Sequence, residues 1–302
     1  MYEIIYFSFW AVNAMLKMSK PSSAHDMFSD KNDKERGVFL ENLLGIGSFA
    51  YRYQVGNTWF RPQAPLDAFG VADDAASMGL LRIQLCENLK YLDYPADKLQ
   101  RLAKYLKDKG MSVELGMYGA TYDNLMRHVE LAGMFDAEMI RIAVGAENEG
   151  YDTDCGHLAE TFRHVLRGCD DKLTFGIENH FDITTEEIVK VVELVDDRRL
   201  GTVFDTTNAI HLLERPEETL AKMLPYVKSV HLKDFRMEKG EASITMNGTI
   251  WGLGMLDTKS DPEDGRGKMP HASMIVELTV GGIPMRRLKR SSALRSTRFT
   301  AR

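Results

Sequence analysis

At 302 residues, with 44% hydrophobic and 27% charged side chains, the chain suits one large α/β domain with appendages and has the balance of a soluble globular protein, which sets aside the disordered and membrane classes. A formal net charge of −6 offers no basic footprint over the body and weighs against nucleic acid as a partner. The three cysteines, Cys86, Cys155 and Cys169, are odd in number and lack CxxC spacing, so a reducing, cytoplasmic compartment is expected.

No charge-free run of about 18 apolar residues occurs in the body, so no membrane partner is expected. Residues 1–18 come nearest, but Glu3 sits where a secretory leader carries positive charge, and a hydrophobic docking segment or a misplaced start is the preferred reading. The Ser-, Asp- and Lys-rich stretch that follows reads as a linker, so residues 1–42 are expected to be a poorly ordered extension.

From Leu43 the pattern changes. Leu43–Phe49 reads as a short strand, Pro65–Gly79 as a helix closed by glycine, and Leu80–Cys86 as the second strand. The same phrase repeats: helix Ala96–Lys109 and strand Met111–Met117; helix Asn124–Gly133 and strand Glu138–Val144; helix His157–Leu166 and strand Leu173–Glu178. It continues with helix Thr185–Val195, capped by Thr184 or Thr185, and strand Gly201–Asp205, then helix Pro216–Leu224 and strand Val227–Lys233. Seven strand–helix units imply a parallel sheet, and Met274–Leu278 would close it into a (β/α)8 TIM barrel over residues 43–280. A doubly wound open sheet is the alternative fold, but Gly45 and Gly47 lie within a strand and no helix opens directly behind them, so its phosphate fingerprint is missing.

Four strands carry metal-type side chains at their carboxyl ends: Glu178 in FGIENH, Asp205 in TVFDTTN, His231 in VKSVHLKD and Glu277 in MIVEL. In a parallel barrel these ends share one mouth, where sites are built. Three carboxylates and one imidazole form a hard, oxygen-rich set that suits Mn²⁺, Mg²⁺ or Co²⁺ better than a structural Zn²⁺. The bland alternative is that each acid is merely paired with a neighbour such as Arg141 or Lys233.

The stretches LGIGSFAYR from Leu44, QLCEN from Gln84, GIENH from Gly176, FDTTN from Phe204, VHLKDF from Val230, GLGMLD from Gly252 and IVEL from Ile275 together resemble the sugar phosphate isomerase/epimerase family. This is the xylose isomerase-like TIM-barrel group that also holds ketose 3-epimerases and inosose dehydratases. The resemblance implies that Glu178, Asp205, His231 and Glu277 are the ligands of a divalent metal, with Glu178 and Glu277 also the acid–base pair. It implies a small sugar or polyol substrate and a homodimer or homotetramer.

The chemistry agrees: a cation polarises a carbonyl, the adjacent C–H is acidified, one carboxylate removes the proton and the other returns it through an enediolate. Glu87, His180, Asn208, Lys233 and Asp234 are the expected substrate-side residues. His180 is equally readable as an exposed loop residue and Asn208 as a turn cap, while Lys233 and Asp234 would orient His231 or clamp an oxyanion. Arg141 is left out, since its strand would have to end early.

Two departures from the family pattern stand out. Thr258–Ser273 carries two prolines and two glycines with little apolar periodicity, so the final unit is expected to be incomplete and the docking of Glu277 is in question. Residues 281–302 form a basic tail with no acidic residue. Gly248–Gly254 is read as a substrate-covering loop. The expected function is a metal-dependent isomerase or epimerase of a small sugar derivative. The alternatives are an inosose-type dehydratase, an endonuclease IV-like hydrolase, disfavoured by the acidic body and by too few strand-end histidines, and a non-catalytic sugar-binding relative.

Overall fold

The computed structural model describes residues 43–57, 60–145, 153–239, 244–256, 272–278 and the backbone of 283–284. The extension 1–42, nearly all of the 258–273 segment and all but two residues of the basic tail lie outside the described residues.

Strands β1 (Leu44–Gly47), β2 (Arg82–Leu85), β3 (Ser112–Tyr118), β4 (Met139–Ala143), β5 (Thr174–Glu178), β6 (Leu200–Asp205) and β7 (Val227–Leu232) follow one another around a ring. A hairpin of β8 (Asp234–Lys239) and β9 (Ile244–Thr249) then precedes β10 (Ser273–Val276), which slots between β7 and β1 and closes the barrel. Every pairing in the ring is parallel. The doubly wound alternative is therefore excluded.

Helices Ala68–Ser77, Ala96–Asp108, Tyr122–Phe135, Cys155–Leu166, Thr185–Val195 and Pro216–Met223 connect successive ring strands. Their apolar stripes bury against the outer face of the ring. In β7, Val230 and Leu232 point outward and join Phe204 and Met223 in an apolar cluster. Strand alternation therefore turns His231 inward.

Local signals explain the ends. Thr184 caps Thr185–Val195 with a complete capping box: its hydroxyl accepts from the Glu187 N–H while the Glu187 carboxylate accepts from the Thr184 N–H. Helix Ala96–Asp108 stops before Gly110, whose φ of 70° is the left-handed region that favours glycine.

The tail begins differently from expectation. β11 (Ile283–Pro284) pairs antiparallel with β9, so β8, β9 and β11 form a second small sheet. Replacing Thr184 by alanine removes one partner of the capping box and should cost about 1 kcal/mol of folding stability, read as a lower urea midpoint at unchanged slope.

Candidate functional site

The carboxyl ends of β5, β6, β7 and β10 deliver Glu178, Asp205, His231 and Glu277 to one buried cluster. His231 Nδ1 stands 3.2 Å from Glu178 Oε1, 3.6 Å from Glu277 Oε2 and 3.8 Å from Asp205 Oδ2. Ligand-type atoms of Glu178, Asp205 and His231 all lie within 4.8 Å of one another. Glu277 docks despite the irregular segment before it, because β10 pairs with β7 in register and the Glu277 N–H donates to the Leu232 carbonyl. A side chain at Gly47 would stand 2.8 Å from Glu277 Oε1, so glycine there keeps the room this carboxylate fills.

Two cations share the cluster. Arg141 forms an ion pair with Glu178, and Lys233 Nζ bridges Asp205 Oδ2 at 2.7 Å and Glu277 Oε2 at 2.8 Å. The pairings foreseen as a bland alternative thus coexist with the convergence of ligands. Arg141 belongs to the site although β4 runs past it: its guanidinium pairs with Glu178 on the adjoining strand β5.

Burial alone would raise the carboxyl pKa values, but Arg141, His231 and Lys233 hold Glu178 well below the usual range, and His231 and Lys233 hold Glu277 below it. Burial works against a charged His231, yet Glu277 and Glu178 raise its pKa.

Four buried atoms, Glu178 Oε2, Asp205 Oδ2, His231 Nδ1 and Glu277 Oε1, make no hydrogen bond, though the first two touch Arg141 and Lys233 as ion pairs. The gathered ligand-type atoms of Glu178, Asp205 and His231 fit a divalent cation, and Glu277 approaches the same imidazole through Oε2, its unbonded Oε1 lying on the Gly47 side. The remaining lone pairs are tied down. Asp205 Oδ1 accepts from the Thr207 N–H and hydroxyl and from the Asn208 N–H. Asn179 grips the Asp205 backbone at both its N–H and its carbonyl.

On the far side of the imidazole, Gln84 Nε2 lies 3.1 Å from both His231 Nε2 and Glu114 Oε2, fixing the ring so that Nδ1 faces the carboxylates. Gln84, Glu114, Asn179 and Thr207 escaped the sequence reading as functional positions. Three of them stand inside the motifs QLCEN, IENH and DTTN, next to residues that were chosen.

In front of the cluster lies a cavity of about 1340 Å³ whose wall includes Glu87, Tyr118, Arg141, His180, Lys233 and Glu277. His180 is held by Asp182 at 2.9 Å and lines this cavity. Asn208 also lines it, and its amide donates to Glu178 Oε1 at 3.0 Å. His211, overlooked in the sequence, is a further wall residue; burial depresses its pKa to about 4, so its imidazole is neutral.

Asp234 requires a correction. Its carboxylate accepts from the backbone N–H groups of Phe235, Gly252, Gly254, Met255 and Leu256, which sets it under the 252–256 turn and outside the cavity wall. The same contacts fix that turn, and Trp251 beside it packs on the outer apolar cluster, so the expected covering loop is a clamped structural element.

The family model described as xylose isomerase-like TIM barrel matches residues 72–279. The chain is 25% identical over 217 residues to 3-oxo-isoapionate decarboxylase of Pectobacterium atrosepticum, covering 71% of this chain and 77% of that one. It is 42% identical over 55 residues to inosose dehydratase of Bacillus thuringiensis, 18% of each. A crystal structure of D-psicose 3-epimerase in the presence of D-fructose superposes with a TM-score of 0.58 at 16% identity, over 82% of this chain and 89% of that one; this likeness is one of fold.

Calorimetry with Mn²⁺ separates the cluster residues Asp205, at the end of β6, and His231, on β7, from Asp234, at the start of β8. Asp205→Asn and His231→Gln should each weaken binding at least about tenfold. Asp234→Ala should leave binding nearly unchanged while lowering stability by about 2 kcal/mol through its loss of charge-assisted bonds.

Proposed function

The chain belongs to the xylose isomerase-like TIM barrel family, and on that footing we propose that it is a divalent-metal-dependent isomerase or epimerase of a small sugar or sugar derivative. One observation carries the reading: the buried ligand-type side chains Glu178, Asp205 and His231 converge, with Glu277 3.6 Å from the same imidazole, beside a cavity large enough for a sugar. Epimerase, dehydratase and decarboxylase relatives share the fold or parts of the sequence.

Glu178, Asp205, His231 and Glu277 are the proposed holders of the cation, with Mn²⁺, Mg²⁺ or Co²⁺ preferred and Zn²⁺ compatible with an imidazole-containing set. Such a cation would supply electrophilic polarisation of a substrate carbonyl. The protein's own groups do the rest. Glu178 and Glu277 are held ionised, so either can accept the proton of the acidified C–H. Asn208 sets the carboxylate plane of Glu178. Arg141 and Lys233, both wall residues, offer fixed positive charge to the enediolate oxygens. His211, whose two ring nitrogens have no partner among the described residues, can hydrogen-bond hydroxyls.

A second reading, decarboxylation of a keto sugar acid, has its own support. The decarboxylase likeness spans 71% of the chain. Arg52, Arg61 and Lys90 also line the cavity, and none forms an ion pair among the described residues, which suits an anionic substrate.

Incubating the Mn²⁺-loaded protein in deuterated water with ketoses, inososes and keto sugar acids tests these readings together. The expected product carries deuterium and keeps the mass of its carbon skeleton, and Glu178→Gln slows its formation about 100-fold or more. A product lighter by water, or by carbon dioxide, would overturn isomerisation in favour of elimination or decarboxylation.

A further inference from the structure

Glu178 and Glu277 face the same difficulty as acids: each sits against a positive side chain, Arg141 for one and Lys233 for the other. A carboxylate that takes a proton from carbon can hand it back only on the side it came from. Delivery from across the cavity needs a further acid in the wall.

One carboxyl in the cavity wall has the opposite surroundings. Glu87 follows β2 as the first residue of the short helix Glu87–Leu89. Both of its carboxyl oxygens are cut off from solvent and make no hydrogen bond, and no ion pair reaches it among the described residues. The ring order runs β1-β10-β7-β6-β5-β4-β3-β2, which sets the end of β2 four strands from the end of β6 in either direction. Glu87 therefore stands across the mouth from Asp205, flanked on the ring by neighbours other than the ligand-bearing strands β5 to β7.

We propose that Glu87 is the proton donor of this site, delivering its carboxyl hydrogen to the enolate carbon from the side of the cavity opposite Asp205. The inference rests on the enolisation reading above and assigns a residue to its second half. In that step the electron pair of the carbon–carbon double bond takes the hydrogen, a C–H bond forms, the O–H bond of Glu87 breaks, and the carbonyl is restored. The carboxylate left behind regains its proton from water. Were carbon dioxide the departing group, the C–C bond would break first and the same carbon would receive the same hydrogen.

The electrostatics agree with the geometry. Burial raises the Glu87 pKa to about 7, against the opposing pull of Arg141 on β4; Glu277 and Glu178 push in the same direction as burial. Its own backbone N–H also pulls the Glu87 pKa down, and the neighbouring Cys86, Tyr91 and Tyr118 stay neutral because burial raises their pKa values. A neutral acid at near-neutral pH is what proton delivery requires, and turnover should fall as pH rises past about 7, where Glu87 loses its hydrogen.

Two measurements on the full chain decide the matter. Infrared spectra at pH 6 should contain the carbonyl stretch of a protonated, non-hydrogen-bonded carboxyl that disappears in Glu87→Gln. With a substrate from the panel in deuterated water, Glu87→Gln should still wash deuterium into recovered substrate while product formation drops about 100-fold or more, with Glu87→Asp recovering part of the loss. A variant that had merely lost its packing would lose exchange and turnover together. Absence of the infrared band, or product formation by Glu87→Gln at near the unmodified rate, overturns the proposal. Failure of every panel compound to exchange with the unmodified protein would instead sink the enolisation reading, while the infrared band still reports whether Glu87 carries its hydrogen.

Discussion

Three carboxylates buried within a few ångströms of one another are the constraint from which the rest of this molecule follows. Removed from water, each would take up a proton or repel its neighbours unless positive charge came close. Arg141 and Lys233 supply that charge from inside, and backbone amides and Asn208 take up further lone pairs. The compensation is incomplete: three acids meet two permanent cations, and donor atoms on all three acids and on His231 stay without a hydrogen bond. A structure organised only for stability would not leave them so, because an apolar cluster of equal volume is usually the more stable solution.

The parallel barrel meets this constraint because it lines up strand ends that are distant along the chain. Its interior is not purely apolar. Gln84 and Glu114 form a polar chain behind His231, and Arg82 in turn pairs with Glu114 at 3.2 Å. Small residues make the arrangement fit. Gly47 faces Glu277, and a side chain there would stand against its carboxylate. A set of long polar side chains can occupy a narrow ring only where neighbouring positions give up their own volume.

Much of this could be read from the residues. Alternation of β-rich runs with amphipathic helices marked the ring strands, and the four ligand-type residues stood out because polarity at the end of an apolar strand is costly without a purpose. The environment of each was less legible. Arg141 was passed over since it lies in the middle of a strand, and its pairing with Glu178 depends on the register between β4 and β5, which the sequence does not carry. The surroundings of Asp234 were hidden because most of its partners are backbone amides of a turn some twenty residues onward, and amides have no sequence signature. Doubt over Glu277 came from the irregular stretch before it, yet its position depends on pairing with β7, which the apolar run Met274–Val276 already secures.

The connection between β7 and β10 shows how tightly site and scaffold are coupled. Elsewhere helices join the ring strands; here, among the described residues, the hairpin β8–β9 and the turn after it take that place. The junction is the tetrapeptide His231-Leu-Lys-Asp234, and successive residues of an extended chain point to opposite sides. His231 and Lys233 enter the acidic cluster, Leu232 joins the outer apolar cluster, and the Asp234 carboxylate collects one backbone amide from β8 and four from the turn after the hairpin. Four consecutive residues thus orient the imidazole, neutralise the carboxylates, anchor the strand and hold the connection that leads to Glu277. Loosening that connection would act on the cluster through the backbone of β7, since Lys233 and Asp234 share a peptide bond and cannot shift independently.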